Sequence, residues 1–542
     1  MTPPPTSFDS FLLLAPEITL VLAALVAWLA GAFAGLRQGW LVALAGIGAA
    51  LLVARWQPAI PSSAGVAVDE FSGFIRWLVL ALGGLLALVQ GGDLFQSAKS
   101  RGPGRHRGGT CEEAGTFLVL LAGLSLTGLA NDLVTLFAGL ELVSIPTYVL
   151  LALKRSDARG QEASLKYFFL SLVASSLFLY AVVCLYGLGG STDLGAIAAR
   201  LREPAAAESL RALVPVALGM AIVAAAFRLA AVPMHFYAPD VYEGTSPGNA
   251  ALLSTLPKVA GLVVLARLLS LSLPLDLFWQ TTAVLAAVTM TVGNVMALWQ
   301  RNLRRLLACS SIAHAGYLLV GVAAAACRPV AGPAAPQSAG MPALDGMSAT
   351  LFYLATYAVA TIGLFGGLAY LGHRWPEWTS GSGPRPPREE IALVEDLDGL
   401  SSTNPVAAFA IALFLLSLAG IPPLPGFWGK LSLAAAALQV DVSEPVTFGS
   451  RRAAFVALAV ILVLNAAIAA AYYLRIIGAI YFRTTKRGVQ ADGGLAAGVA
   501  MLACGLIALM LALQPIGLFT VASRAGSSAA RITSGAAVGY VP

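Results

Sequence analysis

A chain of 542 residues that is 58% hydrophobic and only 11% charged, with a mean hydropathy of +0.81, is too apolar for a string of soluble domains and reads as a polytopic membrane protein. The net charge of +6 is modest and gives no basis for nucleic-acid binding. Five cysteines, Cys111, Cys184, Cys309, Cys327 and Cys504, are scattered without CxxC or Cys/His spacing, which argues against an iron–sulfur or zinc site in this chain.

Taken in order, the chain offers about fourteen apolar blocks of the length an α-helix needs to cross hydrocarbon. They lie near 11–35, 39–56, 70–90, 115–130, 132–153, 163–187, 212–234, 248–270, 279–299, 305–325, 348–370, 404–433, 452–479 and 494–519. The fold class is therefore all-α, because backbone groups in lipid must pair internally and the blocks lack the alternation of a barrel. The Met-Thr-Pro-Pro-Pro start lacks the basic region of a cleaved signal, so the first block is expected to be a retained span. Only Asn131-Asp132 separates the fourth and fifth blocks. The stretches near 91–114, 326–347 and 373–403 are rich in Gly, Pro and Ser and read as connectors.

Positive charge gathers in the odd-numbered loops, as in Lys99, Arg101, Arg105 and Arg107, in Lys154, Arg155 and Arg159, and in Arg301, Arg304 and Arg305. The even-numbered loops hold fewer, chiefly Arg200, Arg202, Arg211, Arg328, Arg451 and Arg452. Because Lys and Arg are retained on the cytoplasmic side, both termini are expected outside the cytoplasm.

Ionisable side chains at bilayer depth are costly and so are functional candidates. Glu141 sits mid-way along the fifth block, with Ser144 and Tyr148 on its helical face. Lys258 lies about ten residues from either end of the eighth block, behind Ser254, Thr255 and Pro257. Desolvation there favours the neutral amine and suits proton exchange; the bland alternative is a fixed interhelical ion pair. Lys430 closes Gly420-Ile-Pro-Pro-Leu-Pro-Gly-Phe-Trp-Gly-Lys430, a run that cannot stay helical, so this span is expected to break in mid-membrane and present a half-helix dipole. A snorkelling lysine at a shortened helix start is its alternative. Arg228 cannot release its proton under ordinary burial. It serves either as a permanent counter-charge to Glu141 or Lys258, or as an anchor near the membrane edge.

His314, Asn294, Thr356, Tyr357, Asn465 and Arg475 are further polar groups inside blocks, with His314 either a packing residue or part of a wet path. Glu162 and Lys166 read as an i,i+4 salt bridge, and His235 and Asp240 as solvated loop residues. Leu229-Ala-Ala-Val-Pro233 reappears as Leu418-Ala-Gly-Ile-Pro422, a short echo of the kind that marks inverted-repeat transporters.

Five stretches carry a resemblance: Gly139-Leu-Glu-Leu-Val-Ser-Ile-Pro-Thr-Tyr-Val-Leu150, Glu162-Ala-Ser-Leu-Lys-Tyr-Phe168, Val232-Pro-Met-His-Phe-Tyr-Ala-Pro-Asp-Val-Tyr-Glu-Gly244, Ser310-Ser-Ile-Ala-His-Ala-Gly-Tyr317 and Pro422-Pro-Leu-Pro-Gly-Phe-Trp-Gly-Lys430. With them the chain resembles subunit N of respiratory complex I, the proton-translocating NADH–quinone oxidoreductase, within the wider antiporter-like subunit family. The resemblance implies fourteen helices with broken seventh and twelfth helices. It also implies an N-terminal three-helix segment and loop (1–114), two inverted five-helix repeats (115–270 and 271–480), and a last helix with its tail (481–542). It makes Glu141 the fifth-helix carboxylate of a Glu/Lys pair, Lys258 the central lysine and Lys430 the exit-side lysine. At position 228 it expects lysine where this chain has arginine, and at Tyr237 it expects tryptophan.

The resemblance further implies an inner-membrane subunit that moves protons when quinone is reduced elsewhere. It implies no redox cofactor in this chain, with NADH, FMN, iron–sulfur clusters and quinone bound by other parts of the complex. Its expected partners are other membrane-arm subunits, including antiporter-like neighbours, together with the bilayer and protons. Two other readings share the fold: a cation/proton antiporter subunit, and a structural subunit of the complex that no longer pumps.

Overall fold

The computed structural model describes residues 11–36, 38–57, 65–91, 110–154, 157–201, 213–271, 275–327, 345–374, 389–441, 445–447, 449–484 and 489–531. Twelve of its helices are long and apolar enough to cross a membrane. In chain order the elements begin with α1 (Ala15–Ala34), α2 (Gly39–Trp56), α3 (Glu70–Gln90), α4 (Thr110–Leu129), α5 (Leu133–Lys154) and α6 (Ala158–Gly189). The short α7 (Leu194–Leu201) leads to α8 (Leu213–Leu229), α9 (Ala238–Gly244), α10 (Pro247–Ser270), α11 (Leu275–Trp299), α12 (Leu303–Ala326) and α13 (Gly346–Leu371). The chain closes with α14 (Pro405–Ala419), α15 (Pro425–Leu438), α16 (Arg451–Phe482), α17 (Leu495–Leu513) and α18 (Pro515–Arg531). Side chains set many of the starts: Asp69, Ser246, Asn302, Asp345 and Ser450 each accept a first-turn N–H, relieving donors that a helix leaves unpaired.

The expected apolar blocks all carry helices, and Asn131-Asp132 is a turn between α4 and α5. The last block differs from expectation. It ends at Leu513, and Pro515 starts a separate amphipathic helix whose Ala522, Ala525 and Ala529 are buried against the rest. The connectors also hold more order than their composition suggests. An antiparallel sheet joins β1 (Gly372–Arg374) to β2 (Glu389–Glu390) on one side and β3 (Val489–Ala491) on the other.

Helices α10, α12 and α13 are almost wholly buried, whereas α1, α2, α6 and α16 turn broad apolar faces outward. α13 is the hub, packing on α10, α12, α14, α15, α17 and α18. Two shorter apolar helices, α8 and α14, stop part-way and resume as α9 and α15. Each stop has a residue in the left-handed region, Ala230 (φ 55°) and Gly420 (φ 87°), followed three residues later by the second residue of a cis X–Pro bond. The two breaks therefore match with Ala230 on Gly420. The echo read from sequence, which sets Pro233 on Pro422, is one residue out of register.

Candidate functional site

The charged side chains expected at membrane depth, Arg475 excepted, gather in a band against the two helix breaks. Glu141 on α5 and Arg228 at the end of α8 form an ion pair of 3.7 Å. The Ser175 hydroxyl donates to the Glu141 carboxylate at 2.5 Å. Arg228 is buried, and its Nη1 donates to Ser144 Oγ at 2.7 Å and toward Leu140 O at 3.4 Å. Of the two placements left open for Arg228, its geometry is that of a buried cation facing Glu141.

Lys258 is fully enclosed, and its ammonium donates to Leu229 O at 2.6 Å and Ser311 O at 2.9 Å. Leu229 is the last residue of α8, so its carbonyl has lost its helical partner and lies at the negative end of a half-helix dipole. Gly261 makes this approach possible. A Cβ there would sit 2.9 Å from the Leu229 side chain and 3.1 Å from Ala225 O. The ion-pair alternative for Lys258 is not what is seen: among the described residues it binds carbonyls, with no carboxylate within ion-pair distance.

Lys430 repeats the arrangement at the second break. Its ammonium donates to Leu418 O at 2.8 Å and Ala419 O at 3.0 Å, the last carbonyls of α14, and lies 4.8 Å from the Tyr317 ring centroid. It is buried, which disposes of the snorkelling alternative.

Between the lysines runs a chain of hydroxyls and one imidazole. Ser311, whose carbonyl takes Lys258, pairs its hydroxyl with Tyr357 at 3.0 Å and Tyr242 at 3.3 Å. The Tyr357 ring lies 4.7 Å from that of His314. His314 pairs Nδ1 with Tyr353 at 2.5 Å and Nε2 with Tyr473 at 3.0 Å, and Tyr473 also pairs with Ser310. His314, Tyr357, Thr356 and Ser417 face one another along this line across a gap too tight to admit a water molecule. His314 is therefore a linked member of the band and not an isolated packing residue.

Two other groups from the sequence lie beside the band. Asn294 donates to Asn465 Oδ1 at 3.0 Å and accepts from Tyr472 at 3.0 Å. Arg475 stands apart, donating to Leu298 O and Gln300 O where α11 ends.

At one end of the bundle, Glu162, Lys166, Asp240, Glu243 and Arg305 surround a cavity of about 240 Å³. Lys166 bridges Glu162 at 2.7 Å, as its spacing suggests, and Asp240 at 2.8 Å; Arg305 reaches Asp240 at 2.7 Å and Glu243 at 2.8 Å. Asp240 is thus paired with two cations while its side chain stays 38% exposed, as expected of a residue beside solvent. Partial burial pushes its carboxyl up, but the hydrogen bonds and charges of Lys166 and Arg305 outweigh this and hold it below its ordinary range.

Sequence reasoning missed two buried cations. Arg76 on α3 holds Glu17 on α1 at 2.9 Å, with Gln57 and Ser125 completing the set. Arg267, near the end of α10, is equally buried. Each lies close to the end of an apolar block, where an arginine normally reaches for water.

The family described as "NADH:quinone oxidoreductase/Mrp antiporter, TM" matches residues 130–333 and 337–456. An NADH-quinone oxidoreductase subunit N 1 from Sorangium cellulosum is 34% identical over 469 residues, 84% of this chain and 83% of that protein. The chain belongs to the NADH-quinone oxidoreductase subunit N family. A second subunit N, from Trichlorobacter lovleyi, is 33% identical over 86% of this chain and 87% of its own length. Among solved structures, a chain of respiratory complex I from Thermus thermophilus, solved with bound aureothin, is 28% identical. It aligns with a TM-score of 0.71 over 94% of this chain and 99% of that one. A chain of the Mrp complex from Dietzia, 23% identical with a TM-score of 0.73 over 98% of each, shares the fold. The chain is therefore an antiporter-like multi-pass membrane protein with a buried arginine at position 228.

Proposed function

We propose that this chain is a membrane-arm subunit of a proton-translocating NADH–quinone oxidoreductase. On this reading it passes protons from the Glu141–Arg228 pair and Lys258 through His314 to Lys430. One observation carries the proposal: both buried lysines rest on carbonyls released by a helix break, with hydroxyls and an imidazole between them. A lysine locked to a carboxylate is held charged. One held by carbonyls keeps N–H donors for them in either protonation state, so it can lose and regain its proton without leaving its site. Coupling along the band is electrostatic: charges about 6 Å apart interact by roughly 3 kcal/mol at an effective dielectric of about 20, or about two pKa units.

In this proposal NADH, FMN, iron–sulfur clusters and quinone belong to other parts of the complex. Neighbouring antiporter-like subunits flank the chain in the cell's inner membrane. The helices make fourteen crossings, in two inverted repeats, with α8–α9 and α14–α15 as the broken seventh and twelfth. Both termini lie outside the cytoplasm, which puts the ionic cavity around Asp240 on the cytoplasmic side and the Arg267 end of α10 on the other, in keeping with the loop charges.

The test is proton pumping against NADH oxidation in sealed vesicles, comparing the native complex with an assembled Lys258→Ala variant. Pumping is expected to fall at least about tenfold relative to oxidation, or together with it. Native rates of both would sink the proposal in favour of a second reading, a subunit that fills its place without pumping. Arg228 favours that reading, because a guanidinium does not cycle its proton.

A further inference from the structure

Arg267 stands on α10 roughly 13 Å beyond Lys258 along the helix axis, toward the extracytoplasmic end. It is 1% exposed. Its Nη2 donates to Gly128 O at 2.6 Å, where α4 runs out of helical donors, and its guanidinium carbon lies 5.4 Å from the Phe71 ring centroid. Its Nε and Nη1 meet no protein acceptor among the described residues, and among those residues it forms no ion pair. Asp69, whose field reaches it, has its carboxylate occupied by Ser72 N at 2.8 Å and the Ser528 hydroxyl at 3.1 Å, the latter supplied by α18. From Val259 to Ala266, α10 carries only buried apolar side chains and Gly261.

Buried donors of this kind are satisfied by water in folded proteins. Water beside the end of α10 would shorten the way out for a proton leaving Lys258. The group that would hold this water is a charge that cannot be neutralised, and fixed arginines exclude protons from wet pores by repulsion. We propose that Arg267 is an electrostatic stop: it closes the extracytoplasmic end of the first helix set to protons, so that charge arriving at Lys258 continues through Ser311, Tyr357 and His314 to Lys430. The proposal rests on the reading of Lys258 as a proton carrier, and Arg267 acts in it as a positioning residue.

The test measures passive proton leak in sealed vesicles holding the assembled complex, after a gradient is formed and NADH oxidation is stopped. Arg267→Gln and Arg267→Leu are expected to raise the leak roughly tenfold, with NADH oxidation kept. Arg267→Lys keeps the charge without the guanidinium's contacts and is expected to leak like the native complex. The proposal is overturned if the Gln and Leu complexes hold their gradient, or if the Lys complex leaks as they do. It is equally overturned if Lys assembles while Gln and Leu do not, because the charge then serves folding. Native pumping in Lys258→Ala sinks the proton-path reading itself, whereas a native leak at position 267 sinks only the stop.

Discussion

Three cations in the band show how one charge type is put to different uses. Lys258 and Lys430 face carbonyls, while Arg228 faces a carboxylate and spends a further N–H on Ser144. At an effective dielectric of about 20, two charges near 4 Å attract by about 4 kcal/mol before the cost of desolvation. Removing the cation would leave Glu141 without its partner at bilayer depth. We therefore expect Arg228→Gln to abolish coupled pumping and Arg228→Lys, which restores a positive charge, to retain it. Vesicle pumping of the two variants decides, and equal loss in both would show that the guanidinium's contacts to Ser144 and Leu140, not its charge, are what the site needs. Glu141, Lys258 and Lys430 were legible in the sequence because a lone charge in an apolar block has few innocent explanations. Their partners were not. A backbone carbonyl has no side-chain signature, and Tyr353 and Tyr473, which hold His314, sit among many aromatic residues that pack without chemistry.

At the level of elements, the breaks after α8 and α14 are the features that create acceptors for the lysines. Prolines announced that helices would stop there, so the breaks were readable. The matching register was not, because backbone conformation pairs Ala230 with Gly420 while the sequence echo is displaced by one residue. Gly261 closes the gap between α10 and the end of α8, and any larger side chain there meets Leu229 and Ala225. Gly261→Val is expected to force these helices apart at a cost of about 1–3 kcal/mol and to draw Lys258 off Leu229 O. Pumping should then fall further than the amount of assembled complex, measured side by side. A variant that pumps in proportion to its assembly would show that the Leu229 contact is dispensable. Order in the connectors escaped the sequence for a similar reason. β1, β2 and β3 are each no longer than three residues, and β3 reaches β1 across more than a hundred positions, leaving no local pattern to read.

Over the whole molecule, the spans were the easiest part to read, because lipid imposes length and apolarity on every crossing. Which helices lie innermost was harder, since α10, α12 and α13 are no more apolar than the outer ones; they are set apart by the polar groups they turn toward one another. The outer wall made by α5 and α6 is lipid-like over Ile145, Phe169 and Leu172, yet the Glu141 side chain remains 26% exposed within it. Hydrocarbon tolerates such an opening poorly. In a cell this amounts to a stoichiometry check written into the side of the protein. A copy made without its neighbours displays a charged notch that an assembled copy hides, and in a pulse–chase it should be degraded sooner. Equal lifetimes would mean that the wall is already complete. Otherwise, the same carboxylate that serves the charge band also marks every unassembled chain as surplus.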